Sequence, residues 1–289
     1  MQELSERLQL AIGSVLQAGE KVLQIYQQDF KVSWKKKDDP LTEADLAAND
    51  IIQSALLESF PQDGFLSEEI DDDRSREKSQ YTWILDPIDG KRDFVSKNPE
   101  FAVSLGFVEG RQPLMGVIFN PVTAELFFGL KDYGFHYEVL SPPYPQYQIP
   151  QKFSYKIQRE VASKPTCLIS RSEVREELYD KIAGFTDKYQ IVPKGSIAYK
   201  LALFAAGKAD SLISVYGKND WDICAGVALI ESSGQQVLEL TTLDKIQFNS
   251  PNLYTKGIIA VADELLPQLQ KEAEWYRSMY RLRKNELPS

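Results

Sequence analysis

One histidine and two cysteines in 289 residues leave little of the usual catalytic repertoire. A histidine-rich zinc site cannot be assembled from a single imidazole, and a serine or cysteine triad would have to recruit His136. That residue lies in the apolar-aromatic string YGFHYEVL, where a strand histidine is expected rather than a base. Cys167 and Cys224 are far apart and neither belongs to a CxxC pair, so the chain is expected to be free of disulfides and to reside in a reducing compartment. Long apolar runs are missing too. ICAGVALI at 223–230 falls well short of the ~20 residues that span a bilayer. MQELSERLQL at the N-terminus has neither a basic nor an apolar signal region, so a cytoplasmic protein with no membrane partner is expected. Positive charge is in deficit: 42 acidic against 33 basic residues give a formal charge of −9. This argues against a nucleic acid polymer as partner, because attraction to polyphosphate needs a net basic surface. A small phosphorylated substrate stays open, since a metal and a few donors suffice to hold it. An apolar fraction of 43% with 11% aromatics is enough for a sizeable core, in one large domain or two modest ones.

Leu4, Leu8, Ala11, Ile12, Val15, Leu16, Val22, Leu23 and Tyr26 recur at helical spacing and predict a first helix. Lys35-Lys36-Lys37 followed by Asp38-Asp39-Pro40 reads as a solvated loop. Thr42, with Asp45 three residues on, resembles a capping box opening a helix to about Phe60. GFLSEE and YTWILDPIDG read as strands with acidic ends, and the intervening DDDRSREKSQ, which has no apolar residue, as an exposed loop. From Phe101 to Val139 alternating strands with short turns predict antiparallel hairpins. SPPYPQYQIP at 141–150 is the best candidate junction, dividing the chain into 1–145, an α+β part, and 146–289, an α/β part. Beyond it PTCLISR precedes a helix from about Glu173, YQIVPKG one from Ser196, and ADSLISVY one from Trp221. QQVLEL, GIIAVAD and a C-terminal amphipathic helix, docked through Trp275 and Tyr276, complete an α/β layering.

Chemistry concentrates in carboxylates at strand ends and helix starts: Asp45, Glu68-Glu69, the set Asp86, Asp89 and Asp93, and Asp222. Such groups need cations to coexist, and hard oxygen ligands without histidine or thiolate point to Mg²⁺. Asp86-Pro87-Ile88-Asp89 sets two carboxylates on a stiff turn, and Gly90 then allows close backbone approach to an anion. This is a two-metal phosphoryl-transfer pattern, with a plain turn as the bland alternative.

LTEADLAAND, LSEE, LDPIDGKRDF and WDICAGVALIESSG follow the order and spacing of the inositol monophosphatase superfamily, which the chain resembles from about residue 40 to 240. That superfamily also holds fructose-1,6-bisphosphatases and 3′(2′),5′-bisphosphate nucleotidases. The resemblance implies a five-layer αβαβα sandwich of the sugar-phosphatase type and hydrolysis of a phosphate monoester by metal-activated water, with two or three Mg²⁺. Carried over, Glu68, Asp86 and the Ile88 carbonyl would hold the water-activating ion. Asp86, Asp89 and Asp222 would hold the ion facing the leaving oxygen, with Asp45 completing the site through waters to a weaker third. Most of these ligands fall in 1–145, and Asp222 in 146–289. The amides of Gly90, Lys91 and Arg92 would cradle the phosphate. LSEE, the Arg92-Asp93-Phe94 ending and ISRSE lean toward the bisphosphate nucleotidases, making Ser170, Arg171 and Ser172 candidate nucleotide contacts. Glu173 stands where a histidine is usual and weakens that assignment. Ser196 and Lys200 are further candidates, with a helix N-cap and a solvated face as their bland alternatives. Inositol monophosphate is the second substrate, and monomers and homodimers are both compatible with such families.

One departure outweighs the matches. Lys91 replaces the threonine that follows DPxDG in the family, whose hydroxyl pairs with the equivalent of Asp45 and helps to orient and deprotonate the attacking water. Either Lys91 turns to the phosphate while Glu68 alone serves the water, or its ammonium displaces an ion and leaves a weakly active or non-catalytic binder of phosphorylated ligands.

Overall fold

The apolar stripe of the first helix becomes one face of a helix pair. In the computed structural model, which describes residues 2–36, 39–142, 144, 147–150, 153, 155–159, 163–182 and 184–283, α1 covers Gln2–Tyr26 and α2 covers Glu43–Ser59. Leu8, Ile12, Val15, Val22, Ala48, Ile52 and Leu56 are fully buried in their contact with the sheet beneath. Between the helices, β1 (Val32–Lys36) and β2 (Asp39–Thr42) pair antiparallel, so the lysine-aspartate stretch expected as a loop is largely a hairpin; its residues 37 and 38 lie outside the described residues.

The sheet under α1 and α2 has six strands in chain order: β3 (Gly64–Ser67), β4 (Tyr81–Asp89), β5 (Ala102–Glu109), β6 (Gln112–Asn120), β7 (Glu125–Leu130) and β8 (Gly134–Val139). β3 and β4 are parallel and the rest antiparallel, joined by the predicted hairpins. The short helix α3 (Lys91–Val95) links β4 to β5. The polar stretch 71–80 is not wholly exposed. Its 3-10 turn at Ser75–Lys78 buries Arg76, whose guanidinium is held by Asp72 and Asn249. Polarity alone misplaced this residue because its charge is paired.

The second half adds β9 (Thr166–Ser170), α4 (Arg171–Arg175), α5 (Phe185–Lys188), β10 (Gln190–Lys194), α6 (Ile197–Ala205), β11 (Ser211–Ser214), β12 (Lys218–Asn219), α7 (Asp220–Ser232), β13 (Gln236–Glu239), β14 (Tyr254–Thr255), β15 (Ile258–Val261), α8 (Leu266–Lys271) and α9 (Ala273–Arg283). The helix expected from Glu173 is only the five-residue α4 and starts at Arg171. Five strands form a second sheet in the order β10-β9-β11-β15-β13.

Three apolar clusters alternate with the two sheets and define the layers. The first joins α1 and α2 to one face of the six-stranded sheet through Trp83, Leu85, Phe107 and Phe119. The second lies between the sheets, where α6 and α7 meet Ile84, Ile118 and Phe127 from one side and Leu168, Leu212 and Ala260 from the other. The third covers the outer face of the second sheet, with Tyr179, Phe185, Tyr276 and Met279 on Ile169, Ile213 and Ile259. Alternate residues of each strand face opposite layers, as period two requires. The result is the five-layer αβαβα sandwich, with Trp275 and Tyr276 docked as expected. No helix among the described residues is long and apolar enough to cross a membrane.

α7 approaches the six-stranded sheet unusually closely because three glycines sit side by side on it. Gly106 pairs with Gly116 and Gly116 with Gly129 across β5, β6 and β7. A Cβ at Gly116 would stand 2.2 Å from the Ala225 carbonyl oxygen, and one at Gly106 2.5 Å from Cys224 Sγ. This seating fixes α7 and the acidic N-terminus it carries.

Candidate active site

The DPID string owes its shape to a break in the ladder. Asp86 pairs with Ser104 and Asp89 with Ala102, so three steps along β4 match two along β5. Pro87 has no N–H to give the sheet, and the bulge at this point turns the two carboxylates out of the strand's plain alternation. Asp86 Oδ1 accepts the Ile88 amide at 3.0 Å. Gly90 follows at φ +94°, where a side chain would also press on the Glu100 carbonyl at 2.9 Å. The amides of Asp93 and Phe94 close onto the Gly90 carbonyl, so those of Gly90, Lys91 and Arg92 are the ones helix geometry leaves without an intrahelical partner.

Other elements deliver the remaining carboxylates. The capping box at α2 forms in both halves, with the Thr42 amide and hydroxyl donating to Asp45 Oδ2 at 2.9 and 2.7 Å. Glu68 and Glu69 follow β3. Asp222 lies in the first turn of α7 and accepts the Asn219 amide at 2.8 Å. Asp89 Oδ2 accepts the Ser196 hydroxyl and the Ala198 amide, so the start of α6 is tied to the end of β4. Ser196 is indeed the N-cap of α6, its Oγ accepting the Tyr199 amide at 3.0 Å, and its φ is +45°.

The carboxylates and Lys91 act on one another across the whole cluster, with Asp86 the strongest single charge on Lys91. Asp86 is buried, and burial together with Glu68, Asp89 and Asp222 pushes its carboxyl well above the usual range, against the opposing pull of Lys91. Burial, then Asp89, pushes Asp222 up to about 7. On the other side Lys91 Nζ contacts Glu68, lies 2.9 Å from Glu69 Oε1 and 3.5 Å from Asp45 Oδ1. Burial would lower the Lys91 pKa, but Asp86, Glu68, Asp45 and Glu69 together outweigh it and raise it. Asp45, fully buried, is pushed up to about 6 by burial despite Lys91 and Thr42.

A cleft of about 860 Å³ opens beside this cluster, with Asp89, Gly90, Arg92, Ser196 and Asp222 in its wall. Ser170, Arg171, Ser172 and Lys200 line it too, whereas Lys91, Glu68, Asp86 and Asp45 do not. Lys200 is not on a solvated face: it is 2% exposed, burial brings its pKa down to about 8, and its ammonium donates to the carbonyls of Lys194 and Gly195 at 3.2 and 3.4 Å. His136 stands on β8, at the far edge of the sheet from β3, stacked on Phe128. Cys167 and Cys224 are buried free thiols.

Several residues of the site escaped sequence reasoning. Glu69 was named in the Glu68-Glu69 cluster but given no role of its own. Arg175, Lys194 and Lys218 join the cleft wall, each from a different element. Glu100 accepts Arg171 through Nε at 2.9 Å and through Nη2, Lys194 Nζ at 3.0 Å and the Gly195 amide at 2.7 Å. Burial would raise its pKa, yet these donors hold it down to about 2. Glu173 is 0% exposed and staples the Ser170–Ser172 segment to β11. It accepts Ser170 N at 3.2 Å, Tyr179 OH at 2.8 Å, Ser214 Oγ at 3.0 Å, Val215 N at 2.8 Å and Tyr216 N at 3.1 Å. A histidine would not accept so many donors.

Asp86, Asp89 and Asp222 suit a hard dication. In each, one oxygen is engaged by a protein N–H or O–H, and among the described residues no hydrogen bond reaches the other. They are not drawn into a closed cage: among the described residues no three His, Cys, Asp or Glu side chains gather tightly enough to hold an ion as they stand. The Asp45–Glu68–Glu69 side does not fit a second ion in the same way, because an ammonium already lies among its oxygens.

Comparison with known proteins bears on the family and the fold. The sequence profile described as the inositol monophosphatase family matches residues 3–277. The 3′(2′),5′-bisphosphate nucleotidase CysQ of Buchnera aphidicola is 30% identical over 254 residues, covering 83% of this chain and 90% of that protein. The inositol monophosphatase of Mesembryanthemum crystallinum is 28% identical over 239 residues, covering 82% and 86%. Among solved structures, an IMPase of Thermotoga maritima superimposes with a TM-score of 0.76 at 21% identity, over 98% of this chain and all 100% of that one. The chain therefore belongs to the inositol monophosphatase family, a family of Mg²⁺-dependent phosphatases.

Proposed function

We propose that this phosphatase acts on a small metabolite carrying two phosphates, a 3′(2′),5′-bisphosphate nucleotide, and releases inorganic phosphate and the nucleoside monophosphate. The observation that carries the reading is the charge of the cleft wall. Arg92, Arg171, Arg175, Lys194, Lys200 and Lys218 face the same space as Asp89 and Asp222. Glu100 offsets Arg171 and Lys194 in part and Asp93, also in the wall, lies 4.0 Å from Arg171, and the excess of basic over acidic side chains in the wall favours a ligand with more than one phosphate. Relatives named as bisphosphate nucleotidases support the same choice.

Asp86, Asp89 and Asp222 are the residues to hold Mg²⁺, which when bound polarises a phosphoryl oxygen and lowers the pKa of a water. The amides of Gly90, Lys91 and Arg92 would receive the scissile phosphate, and Arg171 with its neighbours Ser170 and Ser172 the second phosphate or the base. Glu68 is the carboxylate of its group with access to water, at 20% side-chain exposure against 1% for Glu69 and 0% for Asp45. It is the group to accept the proton of the attacking water. The Lys91 ion pairs favour a second reading, a weakly active or non-catalytic phospho-ligand binder, because they tie up that same carboxylate.

Phosphate release from adenosine 3′,5′-bisphosphate and inositol 1-phosphate, with and without Mg²⁺, separates these readings. Mg²⁺-dependent turnover of the bisphosphate, lost in Asp89→Asn, is expected. Preference for inositol 1-phosphate would transfer the assignment to the second substrate class. Ligand binding without turnover would leave the binder.

A further inference from the structure

Three carboxylates outside the Asp86–Asp89–Asp222 group gather around one ammonium. Asp45 comes from the start of α2, Glu68 and Glu69 from the end of β3, and the side chains of Asp45 and Glu69 are 0% and 1% exposed. Asp45 Oδ2 is satisfied by Thr42, whereas Oδ1 is buried and accepts no hydrogen bond. Carboxylates so withdrawn from water require a nearby positive charge. The charge present is Lys91, 8% exposed, whose Nζ meets one oxygen from each of the three.

The ammonium is held by its three ion pairs, and the backbone from which it reaches them is fixed. Lys91 opens α3 directly after the left-handed Gly90, and α3 is pinned by Phe94, whose ring packs against Tyr26, Phe30 and Phe101. A dication brought to Glu68 would have to share its oxygens with this ammonium, cation against cation in a site largely closed to solvent. Divalent and internal cation exclude each other.

We infer that Lys91 is an internal cation standing in for a divalent ion, so that tight divalent binding is confined to the Asp86–Asp89–Asp222 side and stops at one ion per chain. This deepens the proposed function and rests on it only in taking those three aspartates as the divalent site. An ion pair built into the chain cannot be removed by a chelator, which sets this half of the cluster apart from the other.

Mn²⁺ counts the sites without reference to turnover. Titration followed by electron paramagnetic resonance should find one tight Mn²⁺ per wild-type chain with the uncoupled six-line spectrum of an isolated ion. Lys91→Thr should bind one more, with a spin-coupled spectrum from neighbouring ions, and its unfolding midpoint should rise with Mn²⁺ more than that of the wild type. A coupled pair in the wild type, or an unchanged count in folded Lys91→Thr, would overturn the inference. If Lys91→Thr does not fold, the wild-type spectrum alone decides. Wild type that binds no Mn²⁺ would overturn the one-ion count together with the metal-assisted reading of the function, whereas one ion in both wild type and Lys91→Thr would overturn this inference alone, so the two failures are distinguishable.

Discussion

Ser196 holds a backbone angle that side chains other than glycine rarely adopt, φ +45°, and its hydroxyl serves two masters: it donates to Asp89 Oδ2 and accepts the Tyr199 amide. A positive φ at a non-glycine residue carries a cost of order ~1–3 kcal/mol, and here it sits where the surrounding hydrogen bonds fix it. With Asp89 as a metal ligand, Ser196 is the outer partner that orients it. Ser196→Ala is therefore expected to weaken divalent binding by about 10–100-fold and to lower stability by about 1 kcal/mol through loss of the N-cap. A Mn²⁺ titration and a denaturant melt read the two effects separately; unchanged Mn²⁺ affinity with the stability loss alone would reduce Ser196 to a cap. At this scale the sequence was legible where the function is local. Asp45 announced its capping box, and Asp222 its place in a first turn. Glu173 did not, since its donors Tyr179, Ser214, Val215 and Tyr216 are supplied by other elements and only the tertiary fold assembles them.

Elements were legible wherever a hydrophobic period ran long enough. The strands from Phe101 to Val139 and the helices of residues 2–26 and 43–59 formed as their patterns require. Short elements without such a period were missed: the hairpin of β1 and β2 and the buried Arg76 turn are held by pairing and by a charge partner. Equally hidden was the row of Gly106, Gly116 and Gly129, because glycine in a strand reads as a weakness until the neighbouring strands are in register. The row lets α7 lie against the sheet, and α7 carries Asp222. Gly116→Ala would drive a methyl group into the Ala225 carbonyl, an overpacking without a flexible side chain to give way. A loss toward the upper end of ~1–3 kcal/mol is expected, seen as a lower urea midpoint at an unchanged slope. Turnover should fall along with stability, because displacing α7 displaces Asp222. A variant as stable as the wild type would show that α7 can slide at no cost.

For the molecule as a whole, acid tests a contact between residues far apart in the chain. Glu100, two residues before β5, accepts from Arg171, Lys194 and Gly195, and the pKa of its carboxyl is held at about 2 instead of the ordinary 4.5. A carboxyl with a depressed folded pKa contributes stability that is complete above the unfolded value and is lost as pH falls through the folded one. The unfolded chain binds the proton first, so stability at this contact should drain away between about pH 5 and pH 2. Asp45 and Asp222 titrate in the opposite sense, since their raised folded pKa values favour the protonated folded chain at low pH. Those groups are common to wild type and Glu100→Gln, so the difference between the two isolates the Glu100 contact. Urea melts in chelator at pH 6 and pH 3.5 should show Glu100→Gln less stable than wild type at pH 6, with the gap narrowing at pH 3.5. A gap of constant size would mean that Glu100 acts through packing, and that its bridge to Arg171 and Lys194 contributes nothing through its charge.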